Sequence, residues 1–346
     1  LNTRLTFTGD YFIRNTEGML ADSYELPGVF GAKTPDENCA DLRTNGWELY
    51  LGWNDSFALM GKRFNYTVSA TLGDNKTVFT KFNNPEKNLS NHYEGKVLGE
   101  IWGYRVDGLF ASDEEAAEYT SKINQDAVNE RILTDKVDPY YRAGDLKFRD
   151  LDGDNVISKG DDTAYDAGDR EIIGNETPRY MYSFRLGADW NGFDLGIFFQ
   201  GVGKRDWYPN YLSTGFWGPY SRAFTSFIPE NFMDQCWSEE NRDGYFPRFR
   251  GYQTFAGSQL GVNNDRYLQD ASYIRLKNLT VGYTLPVLKK VFTKLRVYFT
   301  GENLWYWSPM LKHTKYIDPE AAGGNGNTGM AYNYSRNFSV GVDITF

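Results

Sequence analysis

Residues 144–190 read GDLKFRDLDGDNVISKGDDTAYDAGDREIIGNETPRYMYSFRLGADW, and the second half of this stretch decides the fold. Tyr180, Tyr182, Phe184, Leu186, Ala188 and Trp190 fall on one face of an extended chain, while Ser183, Arg185, Gly187 and Asp189 fall on the other. One face is apolar and the other polar, the two-residue period of a half-buried β-strand. Asn191-Gly192 follows, a dipeptide that tolerates positive φ at both positions and closes a tight hairpin. The return strand sets Phe193, Leu195, Ile197 and Phe199 against Asp194, Gly196 and Gln200, with Phe198 out of pattern.

The same alternation recurs on both sides. Leu5, Phe7, Gly9, Tyr11 and Ile13 oppose Thr6, Thr8, Asp10, Phe12 and Arg14, with Phe12 the exception on the polar side. Trp47–Asn54 and Phe64–Leu72 form a hairpin across a turn expected near Asp55 to Lys62. Further on, Leu279, Val281, Tyr283 and Leu285 share a face, then Leu295, Val297 and Phe299, and finally Phe338, Val340, Val342, Ile344 and Phe346. Pro286 stops the first of these ladders, because it has no N–H to donate. Between Gly73 and Arg179 no comparable strand pair is placed; Ser112-Asp-Glu-Glu115 has capping-box spacing and predicts a helix over about 113–132.

Connections alternate long and short: Asn15 to Asn45, Asp55 to Lys62, Gly73 to Arg179, Asn191-Gly192, Gly203 to Ala271, Pro286 to Lys294, and Asn303 to Ser335. Outer-membrane barrels keep short periplasmic turns and long external loops. The expected fold class is therefore all-β, an antiparallel transmembrane β-barrel with long extracellular loops and one short loop helix. On this convention the strand ending at Phe346 points into the periplasm.

Composition agrees. The 346 residues include 25 Tyr, 24 Phe, 9 Trp and 35 Gly, with aromatics at 17%, yet the mean hydropathy is -0.58. Aromatic strands joined by wet loops have that balance. A net charge of -9 excludes a nucleic-acid surface, which needs basic residues to neutralise phosphate. No apolar run is long enough for a transmembrane helix, and Leu1 begins within an alternating strand with no signal peptide, as in a piece that starts in mid-architecture. Cys39 and Cys236 lack CxxC or His neighbours; one disulfide or two separate thiols both fit.

The chemistry on offer is narrow. Asp150, Asp152 and Asp154 stand at the first, third and fifth positions of an EF-hand-like loop, with the Val156 carbonyl at the seventh, Ser158 at the ninth and Asp161 at the twelfth. Carboxylates so spaced converge on Ca2+ when the chain curls around it. Asn155 replaces the usual Gly at the sixth position but tolerates the left-handed conformation, and Asp161 is shorter than the usual Glu. An Asx-rich turn without an ion satisfies the same residues. His92 and His313 have no catalytic neighbours, and no GxSxG, HExxH or phosphate-loop pattern occurs, so no enzyme is expected. Trp207, Tyr208, Tyr211, Trp217 and Tyr220 are candidates for stacking on a ligand or anchoring a partner; packing among loops is the competing reading. A secreted, calcium-stabilised carbohydrate-binding or glycoside-hydrolysing β protein is the alternative, as is a receptor or adhesin without transport. The apolar strand faces discriminate the secreted protein from a barrel, since a soluble sandwich must cover those faces with a second sheet; the receptor or adhesin is told apart only by the missing N-terminal region.

Several stretches together resemble the SusC/RagA-like TonB-dependent transporters: GEIWGYRVDGLF (99–110), GDLKFRDLDGDNVI (144–157), IIGNETPRYMYSFRLG (172–187) and FDLGIFFQGVG (193–203). SYIRLKNLTVGYTLP (272–286), GENL (301–304), DPE (318–320) and the terminal Phe346 follow in the same order. Asn155 departs from the family's usual Gly. The resemblance implies that residues 1–346 are the C-terminal part of a barrel of about 22 strands, with plug and N-terminal strands absent. It also implies an outer-membrane location, uptake of glycans or peptides, a SusD-like lipoprotein lid, and TonB acting through the missing N-terminal region. The last strand, Phe338 to Phe346, looks like the signal read by the barrel assembly machinery.

Overall fold

The computed structural model describes residues 3–22, 36–222, 224, 226, 228–286, 293–323 and 332–346. Eight strands build one antiparallel meander: β1 (Leu5–Asp22), β2 (Asp36–Leu59), β3 (Lys62–Lys81), β4 (Arg179–Trp190), β5 (Phe193–Lys204), β6 (Tyr273–Leu285), β7 (Lys294–Trp307) and β8 (Asn337–Thr345). Each pairs with its neighbours in chain order.

Register carries the apolar alternation across the whole sheet. One cross-strand row runs Leu5, Trp53, Val68, Leu186, Ile197, Leu279, and another runs Phe7, Leu51, Ala70, Phe184, Phe199, Leu276. Among the described residues no second sheet covers this face: Phe184 is 48% and Val340 77% exposed. The sandwich expected of a soluble β protein is not what these strands form. No helix of the described residues is long and apolar enough to cross a membrane.

Aromatic rings border the face at both ends. Near the short turns, Phe57, Phe64, Trp190, Phe193 and Tyr283 fall in one cross-strand row, with Phe57 and Phe64 centroids 5.0 Å apart and Phe193 and Tyr283 4.5 Å apart. Towards the long loops, Tyr182 and Trp307 lie in another row. Tyr182 and Trp190 are eight residues apart on β4, about 27 Å of strand. That matches an apolar band flanked by aromatic girdles.

Three boundaries differ from the sequence reading. β1, β2 and β3 continue well past the alternating segments, and the β2–β3 turn is only Met60-Gly61, both at positive φ. The 24 residues of β2 extend to about 80 Å, more than twice what spans a bilayer. Beyond the girdle both faces meet water, so alternation disappears while the backbone ladder continues. The remainder of the first long loop, residues 23–35, the 287–292 turn and the Gly-rich 324–331 segment lie outside the described residues. Asn191-Gly192 is the expected turn, with φ of 50° and 88°.

The helix is also shorter than expected. α1 spans Asp113–Thr120. Ser112 Oγ accepts from the Glu115 N–H at 3.1 Å, and Glu115 Oε2 accepts from the Ala111 N–H at 2.7 Å, one residue before the position of an ordinary capping box. Thr120 and Ser121 hydroxyls then donate back to the Ala116 and Glu118 carbonyls, and the helix stops. Single turns at Asp126–Val128 and Glu130–Leu133 replace its continuation.

Phe12 and Phe198, both out of pattern, face the polar side. Phe12 lies over Gly46, where a Cβ would come within 2.4 Å of its ring. Phe198 pairs with Arg185.

Candidate functional site

The long connections do not splay separately; they share one core above the sheet. Residues 82–178, 205–272 and 308–323 bring together Tyr104, Phe148, Ile157, Trp207, Phe216, Trp217, Phe246, Tyr267 and Ile317. Trp207, Tyr208, Trp217 and Tyr220, expected as candidate ligand-stacking residues, are buried in this core. Trp217 Nε1 donates to the Pro209 carbonyl at 3.1 Å, and Tyr220 donates to the Pro247 carbonyl at 2.6 Å. Their rings are taken up by packing, which corrects that assignment for these four. Tyr211 alone of the five is exposed, at 43%, with its ring 5.6 Å from that of Phe255.

Buried ion pairs fasten the loops. Asp145, fully buried, receives Arg250 Nε at 3.1 Å and Nη2 at 3.0 Å, and Arg250 also donates to the Asp138 and Tyr140 carbonyls. Burial pushes the Asp145 carboxyl up, and Arg250 opposes that push. A second lock joins the wall to the loop: Arg275 of β6 pairs with Asp318 and Glu320, its guanidinium 4.7 Å from the Tyr306 ring and 5.2 Å from that of Tyr334. Lys277 reaches Glu320 at 2.8 Å. A β-bulge between Leu276 and Asn278 makes this possible, because the extra residue keeps Lys277 on the polar face. The IRLK and DPE stretches, 43 residues apart, are thus one interaction.

The acidic loop folds as a nest of carboxylates on backbone N–H groups. Asp150 accepts from Gly153 at 2.7 Å and Asn155 at 3.0 Å, Asp152 from Asp154 at 3.0 Å, and Asp154 from Val156 at 2.6 Å. Asn155 takes φ of 66°, the left-handed turn expected there. The carboxylates that converge are Asp150, Asp152 and Asp169, with ligand atoms all within 4.8 Å of one another. Asp154 and Asp161 do not join them, which corrects the carboxylate set read from spacing. Val156 bridges to Asn124, and Ser158 Oγ accepts from the Gly160 N–H at 3.1 Å. The cause is an excursion over 159–168, closed where Gly160 and Gly168 touch; a Cβ on Gly168 would sit 2.5 Å from the Gly160 nitrogen. Asp169 then accepts from the Leu151 N–H at 2.7 Å and the Ser158 N–H at 2.8 Å. Burial raises its pKa, with Asp152 and Asp150 adding to the effect. Counting twelve positions along the chain could not find it.

Two clefts open beside these elements. One of about 500 Å³ is lined by Lys96, Glu100, Trp102, Arg170, Glu176 and Asn263 within the loops. Another of about 430 Å³ lies where wall meets loops, lined by Thr71, Ser183, Phe198, Gln200, Arg205 and Tyr273. His92 stacks on Phe79 at 4.3 Å and His313 on Tyr245 at 3.6 Å, and burial lowers the pKa of both, that of His313 to about 4. Cys236 is a buried thiol, and Cys39 Sγ lies 3.8 Å from the Ala21 carbonyl.

No protein-family model matches the chain. It is 27% identical to TonB-dependent receptor P3 of Formosa agariphila over all of its own length and 33% of the receptor's. Receptor P26 of the same organism is 25% identical over the same shares. The chain resembles part of a SusC/RagA-like TonB-dependent transporter. It spans about a third of these curated relatives. In fold it is similar to a solved RagAB peptide transporter, with TM-score 0.66 and 21% identity, covering 100% of this chain and 33% of that one. A closed-closed state of the RagAB peptide importer gives TM-score 0.63 at 21% identity, over 100% and 34%. The expected resemblance and fold class hold, and these relatives are named as receptors and transporters rather than enzymes.

Proposed function

We propose that residues 1–346 form the C-terminal part of an outer-membrane β-barrel that imports nutrients, oligosaccharides or peptides, in a TonB-dependent manner. The observation that carries this reading is the two-sided wall: an apolar outer face bounded by aromatic rows, and an inner face of Ser, Thr, Asn, Gln and paired charges. The short turns lie on the periplasmic side with the C-terminus, and the loop head lies outside. A SusD-like surface lipoprotein acts as lid on that head, and TonB engages a part of the transporter outside this chain. The test is uptake: cells carrying the full-length transporter and its lipoprotein accumulate labelled oligosaccharide or peptide, and lose that uptake when TonB is deleted. Uptake that persists without TonB contradicts the reading.

The acidic loop fits a Ca2+ brace for the head. Asp150, Asp152 and Asp169 would hold the ion, which would offset the repulsion from Asp152 and Asp150 that adds to burial in raising the Asp169 pKa. Chelation is then expected to speed proteolytic cleavage within residues 150–169, and Ca2+ to reverse it; an unchanged cleavage rate contradicts the brace.

A further inference from the structure

We propose that Arg185 is an oxyanion-binding position on the lumen wall, where it takes a carboxylate or sulfate group of the cargo; this rests on the import reading above. Arg185 lies in mid-β4 on the polar face and is exposed, with Ser69 and Phe198 as cross-strand neighbours. Its guanidinium stands over the Phe198 ring, 5.4 Å from the centroid, which holds the long side chain in one direction.

What sets Arg185 apart is the lack of an ion pair among the described residues. Three other cations of the inner wall's strands β6 and β7 are neutralised: Arg296 by Asp194 and Asp343, Arg275 by Asp318 and Glu320, Lys277 by Glu320. Register places Glu302 three strands from Arg185, about 14 Å away. Asp189, four residues along β4 and about 13 Å away, accepts from Asn65 Nδ2 at 2.7 Å. Arg185, in mid-strand, faces the lumen without such a pair among the described residues.

Its surroundings are neutral hydrogen-bonding groups. Ser69 and Asn278 share its cross-strand row, and Thr71, Ser183 and Gln200 form the next row of the polar face. The Thr71 and Ser183 hydroxyls are bonded to one another at 2.6 Å. Thr71, Ser183, Gln200 and Phe198 line the cleft of about 430 Å³, roomy enough for the ring or side chain that carries the anion. The planar guanidinium supplies two parallel donors to a carboxylate or sulfate, a geometry an ammonium cannot reproduce.

The test uses purified full-length transporter and matched probe pairs in isothermal titration. One pair is hexagalacturonate and its methyl ester; the other is an acidic hexapeptide and its Gln-for-Glu counterpart. Wild type is expected to favour the charged member of a pair by roughly tenfold or more, as charge-assisted hydrogen bonds allow. Arg185→Gln should bring that ratio towards one without weakening the neutral member, and Arg185→Lys should retain part of it. Preference in the sugar pair or in the peptide pair identifies the source of the anion. Equal binding of charged and neutral members by wild type overturns the assignment, as does an unchanged ratio in a folded Arg185→Gln. TonB-dependent uptake of the neutral probes reads the import claim separately, so the site can fail while the conduit stands.

Discussion

The wall and the head use aromatic residues in opposite ways. On the wall, Phe7, Phe184, Phe193 and Phe338 point outward from a regular ladder with nothing over them. In the head, Trp207, Trp217, Tyr220 and Phe246 turn inward and bury one another in irregular chain. The wall therefore depends on an apolar solvent supplied from outside, whereas the head carries its own core. Regular backbone pairing fixes the first, and side-chain packing plus buried ion pairs fix the second.

Substitutions that strike one region should leave the other standing. The largest effect is expected from Trp217→Ala, a cavity in the centre of the head costing about 3–5 kcal/mol. Limited proteolysis should then degrade residues 205–272 while the barrel still inserts and keeps its heat-modifiable mobility. Asp145→Asn leaves the buried Arg250 with only the Asp138 carboxylate, at 3.7 Å, as a charge partner and should cost about 3 kcal/mol, again confined to the head. Leu186→Arg strikes the wall instead. At mid-strand on the outer face it should cost about 2–4 kcal/mol and reduce insertion, whereas Thr67→Arg on the polar face should not.

The smallest effect concerns pH. Burial against Tyr245 opposes protonation of His313, with Lys312 and Arg266 adding to the effect, and its folded pKa of about 4 lies below the ordinary 6.5. The unfolded chain thus binds a proton that the folded head resists. Head stability should be unchanged above pH 6.5 and fall as pH drops from there towards 4. His313→Gln should flatten that slope, as read by thermal unfolding of the head.

The same contrast explains what the sequence disclosed. Leu186 and Arg185 alternate because lipid and lumen lie on opposite sides of one strand, so the wall, its register and the Asn191-Gly192 turn were readable directly. Residues Asn15 to Asp22 carry no such contrast, and from sequence the protruding ends of β1–β3 are indistinguishable from loop. The head's core was not readable, since Trp217 and Tyr267 meet without any period linking them. Asp169 escaped for a related reason. The 159–168 excursion separates it from Asp150 and Asp152, and only folding shows that the excursion closes on itself. Arg275, Asp318 and Glu320 were visible as motif fragments, but their pairing needed the bulge at Lys277.

The central claim is that the apolar face of the sheet meets lipid and the polar face meets water. Spin labels placed singly at Leu186 and at Ser183, in full-length transporter with Cys39 and Cys236 replaced and reconstituted in bilayers, test it most directly. The label at 186 should be relaxed by oxygen and shielded from an aqueous nickel chelate, and the label at 183 should show the reverse. Equal access of the aqueous reagent to both positions would contradict the account.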